Sequence, residues 1–118
     1  MATRVRVKIC GVTNEADARQ AALLGADAVG INFYPLSPRS VSSEVANFIL
    51  RELPPFVEAV SVFVDEPLAK VFPLLNQLGR IRTVQMHGPN KEICDAFPYH
   101  YIPAFAVKDQ QSITSIQR

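Results

Sequence analysis

The chain has 118 residues, 48% hydrophobic and 19% charged, which is enough for one modest domain. Its formal net charge of +1 leaves no electrostatic footprint for nucleic acid or an anionic membrane surface. No apolar run reaches the length of a membrane span, and the opening MATRVRVKIC lacks the apolar core and cleavage site of a secretory signal. Cys10 and Cys94 show neither paired spacing nor a metal-ligand pattern, so the expectation is a cytoplasmic protein in a reducing compartment.

In chain order, residues 5–10 (VRVKIC) read as a strand. Residues 14–26 (NEADARQAALLGA) read as a helix, with Thr13 or Asn14 as N-cap and Gly25 as its stop. DAVGINF (27–33) is a second strand, and PLSPRSVS (35–42) is a loop by its prolines and serines. SEVANFILREL (43–53) is helical and ends at Pro54-Pro55. The valine-rich VEAVSVFVD (57–65) is the clearest strand. EPLAKVFPLLNQL (66–78) is a helix with Pro67 near its first turn, and Pro73 inside it is expected to kink or break it. TVQMHG (83–88) is a strand, NKEICDAF (90–97) a short helix, HYIPAFAV (100–107) a strand, and QQSITSIQR (110–118) the start of a last helix. Strict alternation of this kind predicts parallel strands joined by crossover helices.

Alternate strand side chains face opposite sides of a sheet. Val5, Val7 and Ile9 then share one face and Arg6, Lys8 and Cys10 the other; Val84 and Met86 oppose Thr83, Gln85 and His87. The apolar face should pack on helices and the polar face should line an interior. A doubly wound sheet covered on both faces tolerates buried Lys and Arg poorly, whereas the mouth of a barrel tolerates them well. Cys10, Asn32, Asp65 and His87 fall at strand ends, where α/β active sites collect. A (β/α)8 barrel takes about 200 residues or more. These residues therefore make an open sheet or part of a longer barrel, with open edges able to self-associate.

Several blocks in order resemble phosphoribosylanthranilate isomerase of tryptophan biosynthesis. They are KICG at residues 8–11, TNEADA at 13–18, GADAVGINFYPLSPRSVS at 25–42, ELPPFVEAVSVFV at 52–64 and VQMHG at 84–88. The resemblance implies an α/β (β/α)8 barrel of which this chain holds about the first five units. It also implies an enzyme that uses no cofactor or metal and acts on a small sugar-phosphate. The implied reaction is an Amadori rearrangement, aminoaldose phosphate to aminoketose phosphate, by acid–base catalysis. By the same resemblance Cys10 is the base that takes the C2 proton, and Arg39 in SPR grips the anthranilate carboxylate. Gln85 and His87 match the fourth-strand site motif as substrate-binding residues, and Gly11 belongs to the first motif. Met86 stands where leucine is usual, and Pro-Asn follows Gly88 where an acidic residue is common. The family's general acid, on the sixth strand, and its phosphate loops, after the seventh and eighth, fall beyond residue 118.

The chemistry suits these residue types. An Arg fork can bind both oxygens of a carboxylate. A cation beside a thiol helps it act as a base, which gives Lys8 a supporting role on the same strand face as Cys10. Each residue also has a plainer reading. Cys10 alone could be a packed thiol, Arg39 a solvated loop residue, His87 a hydrogen-bonded structural residue and Lys8 an ion-pair partner. Asp65 and Asn32 read as caps or supports, Asp109 as an N-cap, and Cys94 as core packing.

Overall fold

A computed structural model describes residues 3–88, 93 and 96–116. Five strands, β1 (Lys8–Cys10), β2 (Ala28–Asn32), β3 (Glu58–Val64), β4 (Thr83–His87) and β5 (His100–Ala104), form one sheet. They lie side by side in chain order and every neighbouring pair is parallel. Helices α1 (Glu15–Leu23), α2 (Ser43–Glu52) and α3 (Leu68–Leu78) make the crossovers, and α4 (Gln110–Ile116) follows β5. From β1 to β4 the alternation read from the sequence is the architecture observed. Of the helix expected over 90–97, Ile93, Ala96 and Phe97 are not helical, and the rest, with Cys94, lies outside the described residues.

The helix ends follow local chemistry. Asn14 caps α1, its side-chain oxygen accepting from the Asp17 N–H at 2.7 Å, and the Gly25 N–H closes the other end on Ala22 O at 3.1 Å. Ser42 caps α2 through Val45 N–H at 3.2 Å. The far end of α2 is held by Arg80, whose guanidinium donates to the carbonyls of Leu50 at 2.5 Å and Leu53 at 2.9 Å. Those are among the carbonyls a helix leaves without an internal donor. Asp109 precedes α4 and accepts from the Ser112 N–H at 2.9 Å, which holds its carboxyl below the ordinary range.

One expectation about prolines holds and one changes. Pro67 is the N-cap of α3, next to its first turn, and α3 runs through Pro73 without a break. A proline there removes one N–H, the one that would reach Ala69 O. Burial of Val71, Leu75 and Leu78 on the same helix outweighs that loss, since each fully buried aliphatic side chain is worth about 1.5–3 kcal/mol.

The core lies between the sheet and the helices. Val29, Ile31, Phe63, Val84 and Met86 point from the sheet toward Ala18, Ala46, Ile49, Leu50, Val71 and Leu75, and all are buried. The first strand departs from expectation. Only Lys8–Cys10 is strand, and the apolar residues before and within it stay exposed, Val5 at 81% and Ile9 at 43%. The Val7 N–H donates to the Asp27 side chain at 2.7 Å, and Arg4 pairs with the same carboxylate. With β2 on one side only, residues 5–7 gain a side-chain tether and no second ladder.

Candidate active site

The register decides which side chains share the inner face. Cys10, Gly30, Val60, Thr83 and His100 are successive partners across the sheet. Asn32, Val62, Gln85 and Ile102 form the next row, and Val64, His87 and Ala104 the row above. Partners in a parallel sheet project to the same side, so Lys8, Cys10, Asn32, Gln85 and His87 all face away from the helix layer. Cys10, Asn32 and His87 are the last residues of their strands.

Three pairs of residues gather toward these strand ends. The first is Lys8 with Cys10. A methyl group on Gly30 would lie 2.7 Å from Cys10 Sγ and 3.2 Å from Lys8 Nζ, so thiol and ammonium converge over this residue. Cys10 is exposed and its thiol is free. Gly30 went unnoticed in the sequence. The signal was there, because a glycine inside a strand marks a close approach of other atoms to the backbone.

The second pair is Arg39 with Gly11. Arg39 Nη1 donates to Gly11 O at 3.3 Å, and Gly11 has φ +79°, with no room for a Cβ beneath Arg39 Cδ at 2.5 Å. Gly11 N–H in turn donates to Gly30 O at 3.0 Å, which ties this pair to the first. The loop carrying Arg39 is built from its own polar residues. Asn32 Oδ1 accepts from the Tyr34 N–H at 2.7 Å, Ser37 Oγ from the Arg39 N–H at 3.1 Å, and Asn32 O from the Val41 N–H at 3.0 Å. Two side-chain-to-backbone bonds and the backbone bridge of Asn32 with Ser40 fix this loop.

The third pair is Gln85 with His87, on β4. Gln85 Nε2 lies 3.3 Å from His87 Nε2. The amide and the imidazole are thus within hydrogen-bond reach of each other. His87 also borders a cavity of 480 Å³ lined with Gly88, Ala104, Phe105 and Ser112. The first two pairs are joined through Gly30, and the third stands across β2 and β3 from them, facing the same interior. Among the described residues, no group of three or more His, Cys, Asp or Glu could hold a metal ion, and no helix is long and apolar enough to cross a membrane.

The N-(5'phosphoribosyl)anthranilate (PRA) isomerase family matches residues 7–118. The chain belongs to this family. PRA isomerases of Nitrosococcus oceani and Geobacter sulfurreducens are 42% and 45% identical to it over 116 and 114 residues. Those alignments cover 98% and 96% of this chain and 56% of each relative. The crystal structure of phosphoribosyl anthranilate isomerase from Thermotoga maritima superposes with a TM-score of 0.88 at 41% identity, over 96% of this chain and 56% of that one. A phosphoribosyl anthranilate isomerase crystallised with reduced 1-(o-carboxyphenylamino)-1-deoxyribulose 5-phosphate gives the same TM-score and identity, over 59% of its own length. The chain thus spans about half the length of the PRA isomerases it matches, and its five parallel strands correspond to about half of the barrel in those structures.

Proposed function

We propose that this chain supplies the first five β/α units of a PRA isomerase that carries out the Amadori rearrangement of N-(5-phosphoribosyl)anthranilate to 1-(2-carboxyphenylamino)-1-deoxyribulose 5-phosphate in the cytoplasm. Cys10 is the general base that removes the C2 proton of the ring-opened sugar. Lys8 supports the charge that chemistry needs at sulfur, and Arg39 grips the ring carboxylate. Gln85 and His87 contact the substrate from β4. The observation that carries this reading is the convergence of Cys10 Sγ and Lys8 Nζ over Gly30, with Gly11 and Arg39 tied to the same residue. That proximity supports reading Cys10 as a base beside Arg39 as a carboxylate grip at one strand end.

The general acid and the phosphate grip come from the later units of the barrel, so the 118 residues alone should not turn over substrate at a normal rate. Loss of a general acid costs about 10²–10⁴-fold, and loss of the phosphate grip removes orientation energy. The test is an isomerisation assay of the chain alone and of a barrel completed with the remaining units of the G. sulfurreducens relative. The expected result is no activity alone and activity on completion that Cys10→Ala abolishes. A completed Cys10→Ala barrel with full activity would overturn the assignment.

A second reading is a non-catalytic half-barrel that covers its open flanks by association. It is favoured by the apolar side chains exposed at both sheet edges, Val5, Leu23 and Leu24 beside β1 and Phe105 and Val107 beyond β5. Sedimentation separates the two readings, because a well-behaved monomer argues against self-assembly.

A further inference from the structure

At the carboxyl end of β3 the chain does something costly. Asp65 takes φ +47°, a left-handed conformation that most residues with a side chain avoid and that Asp adopts more readily than they do, still at some cost. Strain of this kind costs about 1–3 kcal/mol and persists where surrounding structure holds it. Two contacts do the holding. The Asp65 N–H donates to His87 O at 3.0 Å, extending the β3–β4 ladder one step past its last pair, Val64 with His87. The Asp65 carboxylate lies across Gly88: a methyl group there would run into Oδ1 and come within 2.8 Å of Cγ. Gly88 is itself left-handed at φ +89°. The His87 carbonyl is thus bonded by the Asp65 backbone, the Asp65 carboxylate fills the space a side chain at position 88 would take, and Gln85 meets the His87 ring.

We infer that Asp65 is a positioning residue. It clamps the end of β4 so that the His87 ring keeps one orientation toward the interior, and it requires glycine at position 88. The inference rests on His87 being a substrate-site residue, as proposed above. Asp65 acts through His87 and does not itself touch substrate.

The test separates the strain from the clamp. Asp65→Gly keeps the backbone N–H, tolerates the left-handed turn and removes the side chain with its carboxylate. Asp65→Asn keeps the shape of the side chain. The chain has two histidines, His87 and His100, so long-range ¹H–¹⁵N spectra of the imidazoles are assigned with one variant, His87→Gln. In Asp65→Gly the His87 ring signals should shift or broaden, those of His100 should stay in place, and stability should hold or rise. Asp65→Asn should restore the parent pattern, and Gly88→Ala should reproduce the Asp65→Gly pattern. In a completed barrel Asp65→Gly should lower kcat/KM by about 10- to 100-fold, the range a small misplacement costs, and should add nothing once His87 is Gln. Unchanged His87 signals in Asp65→Gly, or a full further loss in the His87→Gln background, would overturn the inference. A completed His87→Gln barrel with parent activity would remove the substrate-site reading of His87 instead, and the spectra would still decide whether the clamp exists.

Discussion

Replacing Gly11 with alanine should damage both the backbone and the placement of Arg39, and the two costs can be read apart. At φ +79° an alanine is disfavoured by about 1–2 kcal/mol. The new Cβ would meet Arg39 Cδ at 2.5 Å, far inside the 3.5–4.0 Å of a good carbon contact. Arg39 is exposed, so it should swing into solvent rather than compress the turn. The swing breaks its 3.3 Å bond to Gly11 O, a long and solvated bond worth under about 1 kcal/mol. The expected total is about 1.5–3 kcal/mol, measured by urea unfolding of the chain. In an Arg39→Ala background the same change should cost only the backbone part, about 1–2 kcal/mol. An equal cost in both backgrounds would refute the packing of Arg39 over Gly11. A cost near zero in both would refute the left-handed turn.

Three other outcomes are expected. Arg80→Ala should lower stability by about 1–2 kcal/mol in urea unfolding, because two charged donors leave the carbonyls that end α2; Arg80→Lys should recover only part of it, since an ammonium cannot reproduce the planar fork. Asp27 is held below the ordinary carboxylate range, chiefly by the Arg4 hydrogen bond and then by the Val7 N–H. Its contribution is therefore present above the unfolded value of about 3.9 and is lost as pH falls through the lower folded value. The stability gap between parent and Asp27→Asn should narrow on acidification, and a constant gap in urea midpoints at neutral and acid pH would contradict this. Lys8→Met should slow iodoacetamide alkylation of Cys10, followed by peptide mass mapping, while Lys70→Met, a change on α3, should not.

The sequence was most legible where period and caps agreed. The valine-rich run gave β3, and Asn14, one of the two caps read for the first helix, lies at the start of α1. The polar parity of Lys8 and Cys10, and of Gln85 and His87, carried over into the register of the sheet. Less legible was anything that depends on a neighbour far along the chain. The run from Val5 to Cys10 has strand propensity throughout, yet its register with β2 begins at Lys8, with the Val7 carbonyl bonded just before it, because pairing needs a partner and propensity does not supply one. Pro73 looked like a breaker because local rules cannot weigh one lost bond against three buried side chains. Gly30 and Asp65 were hardest to see. Their importance lies in which side chains cross over Gly30 and Gly88, and those atoms come from other strands.

Strand order here equals chain order, β1-β2-β3-β4-β5. On a ribosome this means that each new strand has its docking edge ready when it emerges, because its partner is the strand made just before. Loop closure spans one crossover at a time, so the entropy of each pairing stays small and does not grow with the length already made. Growth is then vectorial: one unpaired edge advances with the nascent chain while β1 keeps the other. The groups that make the first two site pairs, Lys8, Cys10, Gly11, Gly30 and Arg39, lie within the first two β/α units. They can assemble before β3 is synthesised, so this part of the candidate site is laid down in the first stage of folding, ahead of the strands that follow it.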